Sequence, residues 1–189
     1  MGKLLRIGIL APISWPMPPE GYGPWEQVAY NLSEELVRRT GRKLVLAGMI
    51  EGQYRDYYEA KIAPFVDGKQ ICYKGLMTQK ELAPLYQRAA AVLFLLKWGE
   101  PFGLVAAEAQ AVGTAIIAFP RGSMPEIVQN GKTGFLVEDM DQACQAVEKL
   151  DDIDPLACRR NAEERFSAVV MTDKYEAVYY SLTGQDKSP

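Results

Sequence analysis

The stretch AVLFLLKWGEPFGLVAAEAQAVGTAIIAF, residues 91–119, decides the fold. Ala91–Leu96 is an unbroken apolar run, bounded by the loop Lys97–Phe102. A strand buried on both faces reads this way, because it has no solvent side to interrupt it with polar residues. Gly103–Val112 follows, rich in Ala and Val, and Gly113 stops it as a helix stop should. Thr114–Phe119 is apolar again. Strand, helix and strand in this order predict a right-handed crossover between parallel strands.

The alternation continues in both directions. Leu4–Ala11 is a strand ended by Pro12, and Ile13–Pro24 is a long loop containing Pro16, Pro18, Pro19, Gly21, Gly23 and Pro24. Such a loop is too long for a mere connection and is read as functional. A helix runs from about Trp25 to Arg39, with Val28, Leu32 and Leu36 at i, i+4 and i+8 and Gly41 beyond. Lys43–Gly48 is a strand, Gln53–Val66 a weak, tyrosine-rich helix, and Gln70–Tyr73 a short strand. Thr78 and Glu81 form a capping box that opens a helix to about Arg88. Ser123 and Glu126 have the same spacing before a short helix ending at Asn130-Gly131. Gly134–Val137 is a strand, Asp139–Leu150 a helix, and Asp154-Pro155 opens a last helix, whole or broken, to about Leu182. Residues Thr183–Pro189 read as a loose tail. The expectation is one α/β domain over residues 1–182. Its core would be a Rossmann-like, doubly wound parallel sheet of about six strands in the order 3-2-1-4-5-6, with helices on both faces.

Composition narrows the chemistry. The 189 residues include 48% hydrophobic and 24% charged residues and no histidine, with a net charge of −3 from 21 basic and 24 acidic side chains. Global disorder is excluded on that balance, and no basic block marks a nucleic-acid footprint. The absence of histidine removes imidazole metal sites, Ser-His-Asp triads and any histidine base. Cys72, Cys144 and Cys158 lack CxxC spacing and read as apolar fillers in a reducing cytoplasm. No apolar run reaches the roughly 18 residues of a membrane span, and Met1–Arg6 leads into a strand rather than a signal peptide.

In a doubly wound sheet, ligands bind beyond the carboxyl ends of the strands, where the winding reverses. Two loops meet there, Pro12–Pro24 and Lys97–Phe102, and both lead into helix N-termini that attract anions. Glu100 lies in the second loop. Glu108 lies within the apolar helix, where an unpaired buried carboxylate would cost several kcal/mol. It is therefore expected to face the cleft, where vicinal hydroxyls can donate to it. The alternative is a structural pairing of Glu108 with an arginine, with Glu100 merely solvated. Lys97 and Arg121 follow strand ends and could supply positive charge, or could be solvated cations. Trp15 and Trp98 could stack on a ligand or pack under the loop. Glu51 follows a strand as a ribose-gripping acid does in dinucleotide folds, but no GxGxxG accompanies it.

The segment from Lys97 to Val137 resembles the donor lobe of family 4 glycosyltransferases, enzymes with the two-lobed GT-B fold. Glu100-Pro101-Phe102-Gly103 with Glu108-Ala109 matches the E-x7-E signature. Gly113-Thr114 with Ile116-Ile117-Ala118, Pro125-Glu126-Ile127-Val128, and Gly131-Lys132-Thr133-Gly134-Phe135-Leu136-Val137 match three further segments in order. The likeness reaches back to about Lys43, through Tyr73-Lys74-Gly75 and Leu85-Tyr86.

The resemblance implies that Glu108 holds the ribose hydroxyls of a nucleotide-diphosphate sugar and that Glu100 contacts the transferred sugar. Backbone N–H groups of Phe102, Gly103 and Leu104 would bind the diphosphate. The turn Tyr73–Leu76, including Gly75, would border the base. Transfer would retain anomeric configuration and use neither metal nor cofactor.

Residues 1–40 resemble instead the opening of the family's acceptor lobe, whose loop glycines, here Gly21 and Gly23, approach the diphosphate from across the cleft. Pro24 stands where a second glycine is usual and removes an N–H donor. Between Arg39 and Lys43 the pattern breaks: most of the acceptor lobe, the donor lobe's own first strand and helix, and a G-R…K-G segment that neutralises the leaving diphosphate have no counterpart. The acceptor-like strand and helix are expected to fill the empty slot in the donor sheet.

Three functions remain open on this reading: a metal-independent glycosyltransferase, a nucleotide-sugar-binding module without turnover, and a folded fragment. The apolar positions Phe166, Val169, Val170, Tyr175, Val178 and Tyr179 require a covering surface, either this sheet or a second copy of the chain.

Overall fold

The computed structural model describes residues 6–10, 35–50, 52, 55–96 and 99–184, the first of these segments by its backbone alone. The loop Ile13–Pro24 with Gly21 and Gly23, most of the helix Trp25–Arg39, Glu51, Lys97, Trp98 and the last five residues lie outside the described residues.

The architecture is α/β. Strands β1 (Arg6–Leu10), β2 (Lys43–Ala47), β3 (Ile71–Tyr73), β4 (Ala89–Phe94), β5 (Ala115–Ala118) and β6 (Gly134–Leu136) form a parallel sheet in the order β3-β2-β1-β4-β5-β6. β1 lies between β2 and β4, with Gly8 opposite both Val45 and Val92. The first strand thus completes the sheet formed by the later ones. The winding reverses between β1 and β4, which fixes where a ligand crevice opens.

The helices are α1 (Val37–Thr40), α2 (Gln79–Arg88), α3 (Leu104–Ala111), α4 (Met124–Ile127), α5 (Met140–Glu148), α6 (Pro155–Phe166) and α7 (Ala168–Thr183). Successive residues of β4 serve opposite faces. Ala91, Leu93 and Leu95 join Leu36, Ile117, Cys144 and Val147 in one core. Val92, Phe94 and Leu96 join Tyr86, Ala106, Ala109, Met124 and Ile127 in the other. Both faces being covered explains the run of apolar letters at Ala91–Leu96.

Local signals mostly operate as read. The Glu81 carboxylate accepts the Thr78 N–H and hydroxyl at 2.8 Å each, opening α2. Asp139 and Asp154 accept the N–H groups of Gln142 and Leu156 at 2.8 and 2.9 Å. The last helix is broken at Ser167, whose extended backbone ends α6 and whose hydroxyl caps α7. The tyrosine-rich stretch forms a composite of α (Arg55–Tyr57), π (Tyr58–Ile62) and 3-10 (Ala63–Phe65) turns, with Pro64 second in the last.

One expectation is corrected. Ser123 and Glu126 do not form a capping box. Ser123 has helical backbone angles and its side chain does not cap α4. Its hydroxyl donates to the Phe102 carbonyl at 2.6 Å and its N–H to the Glu100 carbonyl at 2.9 Å. Glu126 is exposed. The serine therefore staples two loops together, which requires it to face away from its own helix end.

Candidate functional site

The site is built where the loops after β4 and β5 cross. Ser123 holds the first loop by the two bonds just described, and Gly122 makes the crossing possible. A Cβ on Gly122 would lie 2.4 Å from the Glu100 carbonyl oxygen and 2.5 Å from its nitrogen, and its φ of +56° already favours glycine. Glu100 is half-buried in this crossing.

Gly103 begins α3 in the left-handed region, φ +79°. A Cβ there would point into the core, 2.5 Å from Met124 Cε and 3.6 Å from Ile127 Cδ1 and Phe94 Cζ. The glycine is thus dictated by packing and backbone angle on the inner side. No side chain caps α3. The Ala106 and Ala107 N–H groups turn back to the Gly103 carbonyl, while those of Leu104 and Val105, in the first turn, have no intrahelical acceptor. Phe102 and Leu104, 43% and 66% exposed, stand at the rim. The Phe102 ring meets Phe166 edge to face at 6.0 Å.

Glu108 is half-buried on α3. Its Oε1 accepts the Gln79 side-chain amide at 3.2 Å, and its Oε2 accepts the Tyr86 hydroxyl at 3.5 Å. Gln79 is the first residue of α2, which starts at the carboxyl edge of the sheet after the β3 turn. That contact places Glu108 beside the same edge, near the segment that contains Gly75 and Leu76. The hydroxyl of Tyr86, a residue only 2% exposed, is held protonated well above the usual phenol range, first by burial and then by the Glu108 charge. Glu108 is thus supported by two neutral donors rather than by the structural arginine that the alternative reading required. A carboxylate held this way keeps lone pairs for further hydroxyl donors.

Gly75 turns the chain after β3 at φ +67°, and its carbonyl accepts the Gly48 N–H at 2.9 Å. Leu76 is 76% exposed beside it. Tyr73 points inward: its hydroxyl donates to the Gly48 carbonyl at 2.7 Å, and its ring packs on Tyr58 at 5.3 Å. Its side chain braces the ends of β2 and β3. Arg121 is exposed after β5.

Gln79, Tyr86, Gly122 and Ser123 were not identified as parts of the site from sequence. The available signal was weak: a tyrosine on the buried face of an amphipathic helix needs a partner for its hydroxyl, but nothing in the letters says which.

This geometry is accompanied by a match over residues 27–165 to the family described as Glycosyl transferases group 1. The chain belongs to that family. Among curated relatives of this glycosyltransferase family, D-inositol 3-phosphate glycosyltransferase of Streptomyces scabiei (strain 87.22) is 48% identical over 76 residues, covering 40% of this chain and 17% of the relative. Among solved structures, AviGT4, a glycosyltransferase involved in avilamycin A biosynthesis, superposes with a TM-score of 0.71 at 22% identity, over 97% of this chain and 54% of that one. Anabaena Alr3699/HepE in complex with UDP and glucose superposes at 0.73 and 19% identity, over 95% and 49%. Those two likenesses establish the fold, that of GT-B glycosyltransferases. The chain spans about half the length of these solved proteins and less of the curated relative.

Proposed function

We propose that this chain is the nucleotide-sugar half of a family 4 type glycosyltransferase, transferring the sugar with retention and without metal or cofactor. The observation that carries the reading is Glu108, half-buried at the carboxyl edge and braced by neutral donors from α2. Ribose hydroxyls would donate to its oxygens. The diphosphate would lie against the N–H groups at the start of α3, where the helix dipole favours negative charge. Phe102, Gly103 and Leu104 line that start, and Lys97 in the preceding loop would add charge. Glu100, on the crossed loops, would contact the sugar, and Gly75 and Leu76 would border the base. Gly21 and Gly23 would approach the diphosphate from the loop after β1. UDP is a natural first ligand to try, since HepE binds it. Three free, buried thiols suit a reducing cytoplasm.

A second reading is binding without turnover, because the sequence has no G-R…K-G segment to neutralise the leaving diphosphate. Incubating the protein with UDP-glucose, GDP-mannose and ADP-glucose and following nucleotide release separates the two. Release that disappears in Glu100→Gln supports the transferase. Binding with no release supports the module, and neither binding nor release rejects both.

A further inference from the structure

Helix α7 presents an apolar seam to solvent. None of its 16 residues is buried. Val169, Met171, Tyr175, Val178, Tyr179 and Leu182 are between 53% and 77% exposed. Four of these, Met171, Tyr175, Val178 and Leu182, continue from the exposed Ala168 at steps of three, four, three and four residues. That is the a/d spacing of two helices packing along a common seam. The half-buried residues Val170, Glu176 and Tyr180 lie at the c, b and f positions of the same heptad, on the opposite side. The chain therefore turns Val170, Glu176 and Tyr180 inward and the a/d side chains outward.

Helix propensity does not explain why this segment is helical. Val, Thr and Tyr account for eight of its 16 residues, and these are weak helix formers. Helices of this length draw their stability from covering an apolar face. Covering the five of these side chains on or beside the seam, Met171, Tyr175, Val178, Tyr179 and Leu182, removes on the order of 600 Å² from one copy, most of the roughly 800 Å² that each partner contributes to a standard stable interface.

From this we infer that α7 is a self-association surface, on which a second copy of the chain packs α7 against α7 about a two-fold axis. An evenly spaced a/d seam is self-complementary, as such an interface requires. The flanking e and g positions are Thr172, Lys174, Tyr179 and Ser181, which carry a single charge per helix. An acidic or basic partner would find little to pair with there. The acidic residues Asp173 and Glu176 lie at f and b, away from the seam. This inference does not depend on the nucleotide site.

Sedimentation velocity over a range of about 1 to 200 µM tests it, since association follows mass action. The full chain should move from 21.0 kDa to twice that mass as concentration rises. Val178→Glu should raise the dimer dissociation constant about 100-fold or more, and Val178→Leu should lower it several-fold. Lys132→Glu, on the turn before β6, should leave it unchanged. A wild-type chain that stays monomeric overturns the inference, whether it is then found to bind lipid vesicles or another protein. A dimer indifferent to both Val178 variants also overturns it.

Discussion

Helices α3 and α7 are written in similar apolar letters and have opposite fates. In α3, Ala106, Ala107, Ala109 and Gln110 are buried, whereas in α7 no residue is. The difference is side-chain size and partners, not hydrophobicity. Alanines let α3 lie close between the sheet and α6. Gly113, just past α3, sits against Pro155, where a Cβ would be 3.2 Å from the proline carbonyl oxygen. A polar knot then locks the two helices. Asn161 of α6 donates to Gln110 Oε1 at 2.6 Å and to the Ile127 carbonyl at 3.0 Å, and Gln110 donates to the same carbonyl at 3.3 Å. α7 carries bulky Val, Met, Tyr and Leu with no groove among the described residues to fill. The carboxylate of the proposed site thus stands on a clamped helix, and the proposed partner surface on one without a seat among the described residues.

The comparison breaks most decisively under one charge placed on each helix. Ala109→Glu puts a carboxylate at a fully buried position and should cost about 4 kcal/mol or more, seen as loss of a cooperative urea transition. Val178→Glu, measured at dilution where the chain is monomeric, should change stability by no more than about 0.5 kcal/mol. Equal effects would erase the distinction. Next in size is the polar knot. Asn161→Leu leaves Gln110 and the Ile127 carbonyl short of partners and should cost about 3 kcal/mol in the same assay.

The smallest effect is one of pH. Burial of Cys158 between α6 and the β6 turn pushes its thiol up to about 11 from the ordinary 9.0. The folded state therefore holds its proton where the unfolded chain releases it. Stability from this group should be complete below pH 9.0 and be lost as pH rises through about 11. The denaturation midpoint should fall over that interval. The thiol should also resist a disulfide reagent at pH 8 until the chain unfolds.

The sheet was legible because strands buried on both faces and glycine-stopped helices leave strong periodic marks, as at Ala91–Leu96 and Gly113. Caps with a carboxylate acceptor, Glu81, Asp139 and Asp154, were legible for the same reason: the bond is local. Ser123 was misread because its partners, the Phe102 and Glu100 carbonyls, are more than 20 residues away, and a capping-box spacing carries no information about them. Tyr73 was assigned to a base-bordering turn from its place in a motif. Its side chain also serves the junction of β2 and β3 through a bond to Gly48, 25 residues earlier, which the motif does not encode. Glu108 was singled out by the cost of a lone carboxylate among alanines, but its donors, Gln79 and Tyr86, come from another helix and needed the fold to be found.

The central claim is that Glu108 grips the ribose of a nucleotide diphosphate. Titration calorimetry of the full chain with UDP, GDP and ADP, beside Glu108→Ala, tests it most directly. The wild-type chain should bind at least one of the three, and the variant should bind it about 10- to 100-fold more weakly, the loss of a charged hydrogen-bond acceptor. Undiminished binding by Glu108→Ala, or no binding by the wild-type chain, would contradict the account.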